Sequence, residues 1–308
     1  MNPAFEAAGL TVLERGWLSS NSVLFASEHD AAAPTLIDSG YWSHAPQTVA
    51  LVRHALQGRP LARIVNTHLH ADHCGGNQAL QQAFDCAIDV PAGEAANVDR
   101  WDESALTFRA TGQHCPRFVR TGAIAADAHL NLGGQQWQAL ASPGHDPQSF
   151  VLYQPDLELL ISADALWENG FGVIFPELDG DDGFGAMRAT LERLRGLRVR
   201  WVIPGHGRPF DDFDAAVDRA SRRLDGLVAD PARHARHAAK VLIKFHLMEL
   251  QAQAQSELDT WLDQNGCIAG AHRLHFADRP YHAWCAGLID ELQASGALRR
   301  RDGRVENV

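Results

Sequence analysis

Lysine is almost missing from this chain of 308 residues: there are two, Lys240 and Lys244, and residues 1–213 contain none. Cysteine is sparse as well. The five (Cys74, Cys86, Cys115, Cys267, Cys285) are odd in number and form no CxxC pair, which excludes a disulfide framework and a thiolate zinc knuckle. No stretch approaches the roughly 20 consecutive apolar residues of a membrane span. Met1–Leu10 has no basic segment followed by an apolar one, so it does not read as a secretory signal, and a cytoplasmic location is expected. Residues 214–308 carry 13 acidic and 13 basic side chains, so the whole net charge of −11 sits in residues 1–213. An acidic first part followed by a neutral tail argues against a general nucleic-acid binder.

Against these absences stand ordinary globular proportions, 45% apolar and 21% charged. Short apolar runs bounded by turn residues predict strands at 23–26, 35–37, 62–66, 87–90, 136–141, 150–153, 159–162 and 201–203. Longer amphipathic stretches predict helices at 45–56, 92–101 and 184–194, with another opening at Gly75-Gly76. Residues 102–120 have no clear period and read either as an active-site lid or as a surface loop. From 214 onward the pattern is helical (215–228, 234–250, 256–264, 280–295), closed by a hairpin around Arg301-Asp302-Gly303-Arg304. A division near residue 213 is expected, giving domains 1–213 and 214–308.

The segment Thr67-His68-Leu69-His70-Ala71-Asp72-His73-Cys74-Gly75-Gly76 packs three imidazoles and one carboxylate into six positions. In an extended chain residues two apart share a side, so His68 and His70 can reach one metal together. Asp72 and His73 follow at a turn, where they can serve a second metal. His145 in Pro143-Gly144-His145-Asp146, Asp164 in Ser162-Ala163-Asp164 and His206 in Pro204-Gly205-His206-Gly207 complete the set. Imidazole nitrogen with carboxylate oxygen suits zinc, iron or manganese. Cys74 reads as a tightly packed small residue, and Trp101, Phe118, Trp167 and Phe171 as candidates to line a cleft.

HxHxDH, PGHD, an apolar run ending in Asp, and PGHG, in that order, resemble the metallo-β-lactamase superfamily over about residues 10–213. The resemblance implies a four-layer αβ/βα sandwich, here with a C-terminal helical, winged-helix-like extension. It implies His68, His70 and His145 on a first metal, Asp72, His73 and His206 on a second, and Asp164 between both. Zinc is the first choice, with iron or manganese as alternatives. Asp38, in Leu36-Ile37-Asp38-Ser39-Gly40, would orient a histidine. The zinc β-lactamases carry Cys or Ser where Asp164 stands, so β-lactams are not the expected substrates. The loop after Asp164 resembles glyoxalase II, but that family holds glutathione with lysines and tyrosines, and residues 1–213 have no lysine. The implied activity is dinuclear hydrolysis of a small ester, thioester or lactone by a hydroxide held between the metals, with Asp72 relaying a proton. The alternative is a phosphodiesterase cutting single-stranded RNA, guided by a tail whose Arg299, Arg300, Arg301 and Arg304 would touch phosphates. The tail lacks the basic, aromatic-interleaved face of a single-strand binder, so packing or dimerisation is preferred for it. The expected partner is a small molecule, with no membrane; nucleic acid is disfavoured but not excluded, and the helical tail allows a homodimer.

Overall fold

The computed structural model describes residues 2–26 and 33–308. After a short α1 (Pro3–Ala7), the first sheet forms from β1 (Leu10–Leu13), β2 (Ser22–Phe25), β3 (Thr35–Ile37), β4 (Arg63–Val65), β5 (Ala87–Pro91) and β6 (Gly122–Ile124), in that spatial order. β1 to β3 pair antiparallel, while β3 to β6 pair parallel. Parallel neighbours need crossovers. These are α2 (Ala45–Leu56) between β3 and β4, then α3 (Ala71–Cys74) and α4 (Asn77–Phe84) between β4 and β5. Between β5 and β6 run α5 (Ala95–Arg100) and α6 (Phe108–Thr111).

The second sheet holds β7 (His129–Leu132), β8 (Gln135–Ala141), β9 (Phe150–Gln154), β10 (Leu159–Ala163) and β11 (Trp201–Pro204). Its neighbours are antiparallel except β10 and β11, which are parallel and joined through α7 (Pro176–Asp179) and α8 (Gly183–Arg195).

The period-2 alternation of the strands sets the layers. Val23, Phe25, Ile37 and Val65 meet Trp137, Ala139, Leu152, Ile161 and Ile203 between the sheets. Leu24, Leu36 and Ile64 turn the other way and pack on Val52, Leu56 and Leu80 of α2 and α4. On the far side Val151, Leu160 and Val202 pack on α8 and on α9 (Phe213–Ala229). The result is helix, sheet, sheet, helix: the four-layer αβ/βα sandwich.

The tail comprises α10 (Pro231–Leu250), β12 (Ala252–Ala254), α11 (Gln255–Gln264), α12 (Gly266–His275), α13 (Tyr281–Ala294), β13 (Leu298–Arg301) and β14 (Arg304–Asn307), the strands ordered β12-β14-β13. Asp230 caps α10, accepting from the Arg233 N–H, and Pro231 occupies the first turn. Asp302 and Gly303 adopt φ of 51° and 73°, the left-handed pair of a tight hairpin. Ala235, Ala238, Ala239, Leu242 and Ile243 of α10 join Leu258, Ile268, Leu288 and Val305 in a core that also takes in Val173 and Leu178 of the first part. No described helix is long and apolar enough to cross a membrane.

The sequence pattern gives no sign of β1, β6, β7, β12, the short helices α1, α6 and α7, or α12. The last is hidden by Asn265, which looks like a breaker but also starts a helix, its side chain accepting from the Ile268 N–H. Residues 102–120 are neither a free lid nor an unattached loop. Leu106, Phe108, Cys115 and Phe118 are buried under the first sheet, and the Thr111 carbonyl accepts from Asn265 Nδ2 of the tail.

Candidate metal centre

β3 and β4 run parallel, as do β10 and β11, and β8 points the same way as β10, so their C-terminal ends lie along one edge. Asp38 follows β3, His68 and His70 follow β4, His145 follows β8, Asp164 follows β10 and His206 follows β11. The seven residues named from the sequence meet there in two groups. His68, His70 and His145 form one; Asp72, His73, Asp164 and His206 form the other; within each group the donor atoms lie within 4.8 Å of one another. All seven are buried.

Backbone contacts hold the loops in register. The Ser39 N–H donates to the His73 carbonyl at 2.7 Å and the Ser20 N–H to the Asp72 carbonyl at 2.9 Å. Asn21 Nδ2 donates to the Pro204 and Gly207 carbonyls at 2.9 and 2.8 Å, clamping the loop that carries His206. Two glycines allow close approach: a Cβ on Gly76 would sit 2.3 Å from the Ser39 carbonyl oxygen, and one on Gly205 2.2 Å from Asp164 Oδ1.

Asp164 faces both groups. Its Oδ2 lies 3.3 Å from His145 Nε2, while its Oδ1 lies 3.3 Å from His73 Nε2 and 3.9 Å from His206 Nε2. Outer contacts orient several rings. His73 Nδ1 donates to Asp38 Oδ2 at 2.8 Å and His145 Nδ1 to the Val173 carbonyl at 2.6 Å, which turns both Nε2 atoms inward. Asp146 Oδ2 stands 3.8 Å from His70 Nε2, and its burial raises the carboxyl to about 7. Asp146 directly follows His145 in the chain, and nothing in that spacing marks it as a neighbour of His70.

These residues fit divalent metal ions. Among the described residues, His68 Nε2 and His73 Nε2 are buried with no hydrogen-bond partner, an arrangement costly without a Lewis acid to satisfy it. Burial first, then neighbouring imidazoles, lower His68 well below the usual range and His70 to about 3. Both rings are therefore neutral, the form that ligates metal. Burial alone would lower His73 too, but Asp164, Asp38 and Asp72 outweigh it and raise that ring.

A cleft of about 790 Å³ opens over the donors. Trp17, half exposed on the β1–β2 connection, stacks on the His206 ring (5.3 Å, 8°) and meets Trp167 edge-on at 5.4 Å. Trp167 and Phe171 line the cleft as expected. Trp101 and Phe118 do not: they pack edge-on against each other at 5.3 Å beneath the first sheet, because their segment folds inward. Cys74 is buried against Cys115, the sulfurs 3.7 Å apart. The opposite wall, contributed by α10, went unseen in the sequence. Its one signal is that both lysines fall four residues apart on a single amphipathic helix.

The chain belongs to the metallo-beta-lactamase superfamily, whose family profile matches residues 15–206. It is 30% identical over 155 residues to the "Probable metallo-hydrolase YqgX" of Bacillus subtilis, covering 48% of this chain and 69% of that protein. A "Hydroxyacylglutathione hydrolase" of Hyphomonas neptunium is 31% identical over 138 residues, 45% of this chain and 43% of that one. The human "Acyl-coenzyme A thioesterase MBLAC2" is 28% identical over 168 residues, 51% and 58% respectively. The chain thus spans between about two fifths and two thirds of these relatives. Among solved structures, a metallo-beta-lactamase family protein of Thermus thermophilus aligns with a TM-score of 0.59 at 18% identity, covering 97% of this chain and 99% of that one. A protein solved in a di-iron-bound form, TTHA1623, aligns with a TM-score of 0.52 at 26% identity over 69% of this chain and 97% of its own.

Proposed function

We propose that the chain is a dinuclear metal-dependent hydrolase of small thioesters or esters, lactones included. Residues 1–213 would form its catalytic domain and 214–308 its extension, with α9 packed as the outer helix of the first. The observation that carries this reading is Asp164, which turns one oxygen toward each donor group. A closed structural site needs no carboxylate between two metal positions. Relatives named for thioester hydrolysis support the substrate class, and the di-iron neighbour supports iron beside zinc as the ion.

His68, His70 and His145 would hold one ion, Asp72, His73 and His206 the other, and Asp164 both. When bound, such a pair makes water nucleophilic near neutral pH and polarises the carbonyl under attack. The protein's own part is positional. Asp38 and the Val173 carbonyl fix ring orientation, and Trp17 and Trp167 screen His206 from bulk water at the cleft mouth. Asp72, with Oδ2 3.0 Å from His206 Nε2, is the carboxylate assigned to take the proton from the attacking water and return it to the leaving group.

Thioester, phosphodiester and β-lactam substrates assayed on one preparation test the reading. Thioester turnover should exceed the other two, disappear on chelation and return with added zinc or iron. Faster turnover of penicillins or of phosphodiesters, or no metal above trace after supplemented purification, would overturn it.

A further inference from the structure

Seven residues of α10 line the cleft; besides Leu242 they are His237, Lys240, Val241, Lys244, Phe245 and Met248, and these six recur at helical spacing. Their spacing puts them on one stripe of a helix with 3.6 residues per turn. The stripe is graded, basic near its N-terminal end and apolar toward its C-terminal end.

Arg223 of α9 adds to the basic end. Its guanidinium lies over the Phe171 ring, 5.1 Å from the centroid, and its Nη2 donates to His237 Nε2 at 3.3 Å. Among the described residues it has no carboxylate partner, whereas Arg188 and Arg219 nearby are paired with Asp225 and Asp212. Lys240 shares the single carboxylate of Glu291 with Arg236. Lys244 is spent on the Ala297 and Val308 carbonyls and Asn307 Oδ1, so it is no part of the cluster. Apart from Asp72 and Asp164, the one side-chain carboxylate lining the cleft is Glu168, exposed at its rim. A chain with a net charge of −11 therefore keeps unbalanced positive charge inside the cleft that opens over the metal donors. His237 registers it: burial first, then Arg223 and Lys240, hold its ring at about 4.

The cluster is close to the metal donors. A Cβ on Gly170 would meet Arg223 Nη1 at 2.5 Å, and one on Gly172 would meet His145 Nδ1 at 2.4 Å. The two glycines are two residues apart, at most about 7 Å of chain, which keeps the guanidinium within roughly 15 Å of His145. We propose that Arg223, assisted by Lys240 and His237, anchors an anionic group of the substrate, a carboxylate or phosphate carried within roughly 15 Å of the carbonyl under attack. Val241, Phe245 and Met248 hold the apolar acyl part. This rests on the hydrolase reading and names the substrate class within it. The planar fork of an arginine suits either anion bidentately. The tail thereby supplies a lysine, Lys240, where residues 1–213 have none.

The test uses thioesters of one acyl chain with three leaving thiols of matched length, ending in an amide, a carboxylate or a phosphate monoester. With metal-loaded wild type, one anionic thioester should show a KM at least about ten-fold below that of the amide; the charged pair then tells which anion is preferred. Arg223→Gln should shrink that ratio toward one, Arg223→Lys should restore part of it, and Glu291→Gln, which frees Lys240, should widen it. Equal KM values across the three in wild type, or a ratio unmoved by Arg223→Gln, would overturn the anchor while leaving the hydrolase reading intact. If none of the three is hydrolysed, the hydrolase reading fails and binding decides the anchor. Quenching of the cleft tryptophans by the corresponding thioethers should then favour an anionic one, and Arg223→Gln should lose that preference. Equal quenching by all three would refute it.

Discussion

Asp38 and His73 are joined by a 2.8 Å hydrogen bond from ring Nδ1 to carboxylate Oδ2, and the same carboxylate accepts from the Thr67 N–H and hydroxyl at 2.9 and 2.8 Å. Asp38 holds this post at a φ of 56°, a conformation that few residue types other than glycine, asparagine and aspartate accept readily. Asp38→Ala should weaken metal binding about 10–100-fold, the usual cost of losing a carboxylate behind a histidine ligand. Competition against a chromophoric chelator measures it. An affinity equal to wild type would show that His73 needs no such support.

His234 gives the fold an acid-sensitive point away from the metal donors. Its Nε2 accepts from the Ile174 N–H at 3.1 Å, and burial, with help from His237 and Arg223, holds the ring at about 3 against an ordinary 6.5. As pH falls below 6.5 the unfolded chain takes up this proton and the folded chain does not. The stability is full above 6.5 and falls by about 1.4 kcal/mol per unit as pH drops toward the folded value. Denaturant midpoints at pH 7 and 4.5 should separate more for wild type than for His234→Gln, by about 2–3 kcal/mol. Parallel losses in the two proteins would place acid sensitivity elsewhere.

A second tie links the two ends of the chain. Glu249 of α10 accepts from the Tyr41 hydroxyl at 2.6 Å and from Trp42 Nε1 at 3.0 Å. Tyr41→Phe removes one donor from a partly buried carboxylate and should cost about 1–3 kcal/mol in urea unfolding. A change below about 0.5 kcal/mol, the usual scale of neutral surface substitutions, would mean that water replaces the hydroxyl.

The tail arginines considered for RNA are turned to other uses. Arg299 pairs with Glu306 and Arg300 with Asp290, Arg301 lies 3.4 Å from Asp302, and Arg304 donates to the Ala252 carbonyl. Replacing all four by alanine should leave thioester turnover within a few-fold, and wild type should barely retain single-stranded RNA at physiological salt. Tight, salt-sensitive RNA binding that the quadruple change abolishes would favour the nuclease alternative.

What could be read from the sequence was what is local in it. His68, His70, Asp72 and His73 stand in six consecutive positions, and His145, Asp164 and His206 each end an apolar run, so strand ends announce them without any knowledge of packing. Asp38 was legible for the same reason. The aromatic assignments divided on a non-local fact: Trp167 and Phe171 follow the Asp164 strand into the cleft, while Trp101 and Phe118 belong to a segment that folds under the first sheet. Arg223, Lys240 and Phe245 gave no sign of facing the metal donors. Amphipathic periodicity says that a helix has two faces and not which neighbour each will meet, and here α10 buries one face in the tail's core and turns another to the cleft.

That double use of α10 means that the metal-donor set and the part of the cleft wall carrying the proposed anchor are encoded apart, the first ending at His206 and the second beginning at Arg223. Exchanging the tail for one with a differently decorated helix would retool the choice of molecule admitted while the reacting centre stayed as it was. If the proposed anchor holds, selectivity would in that sense be a replaceable part, mounted on a fixed engine.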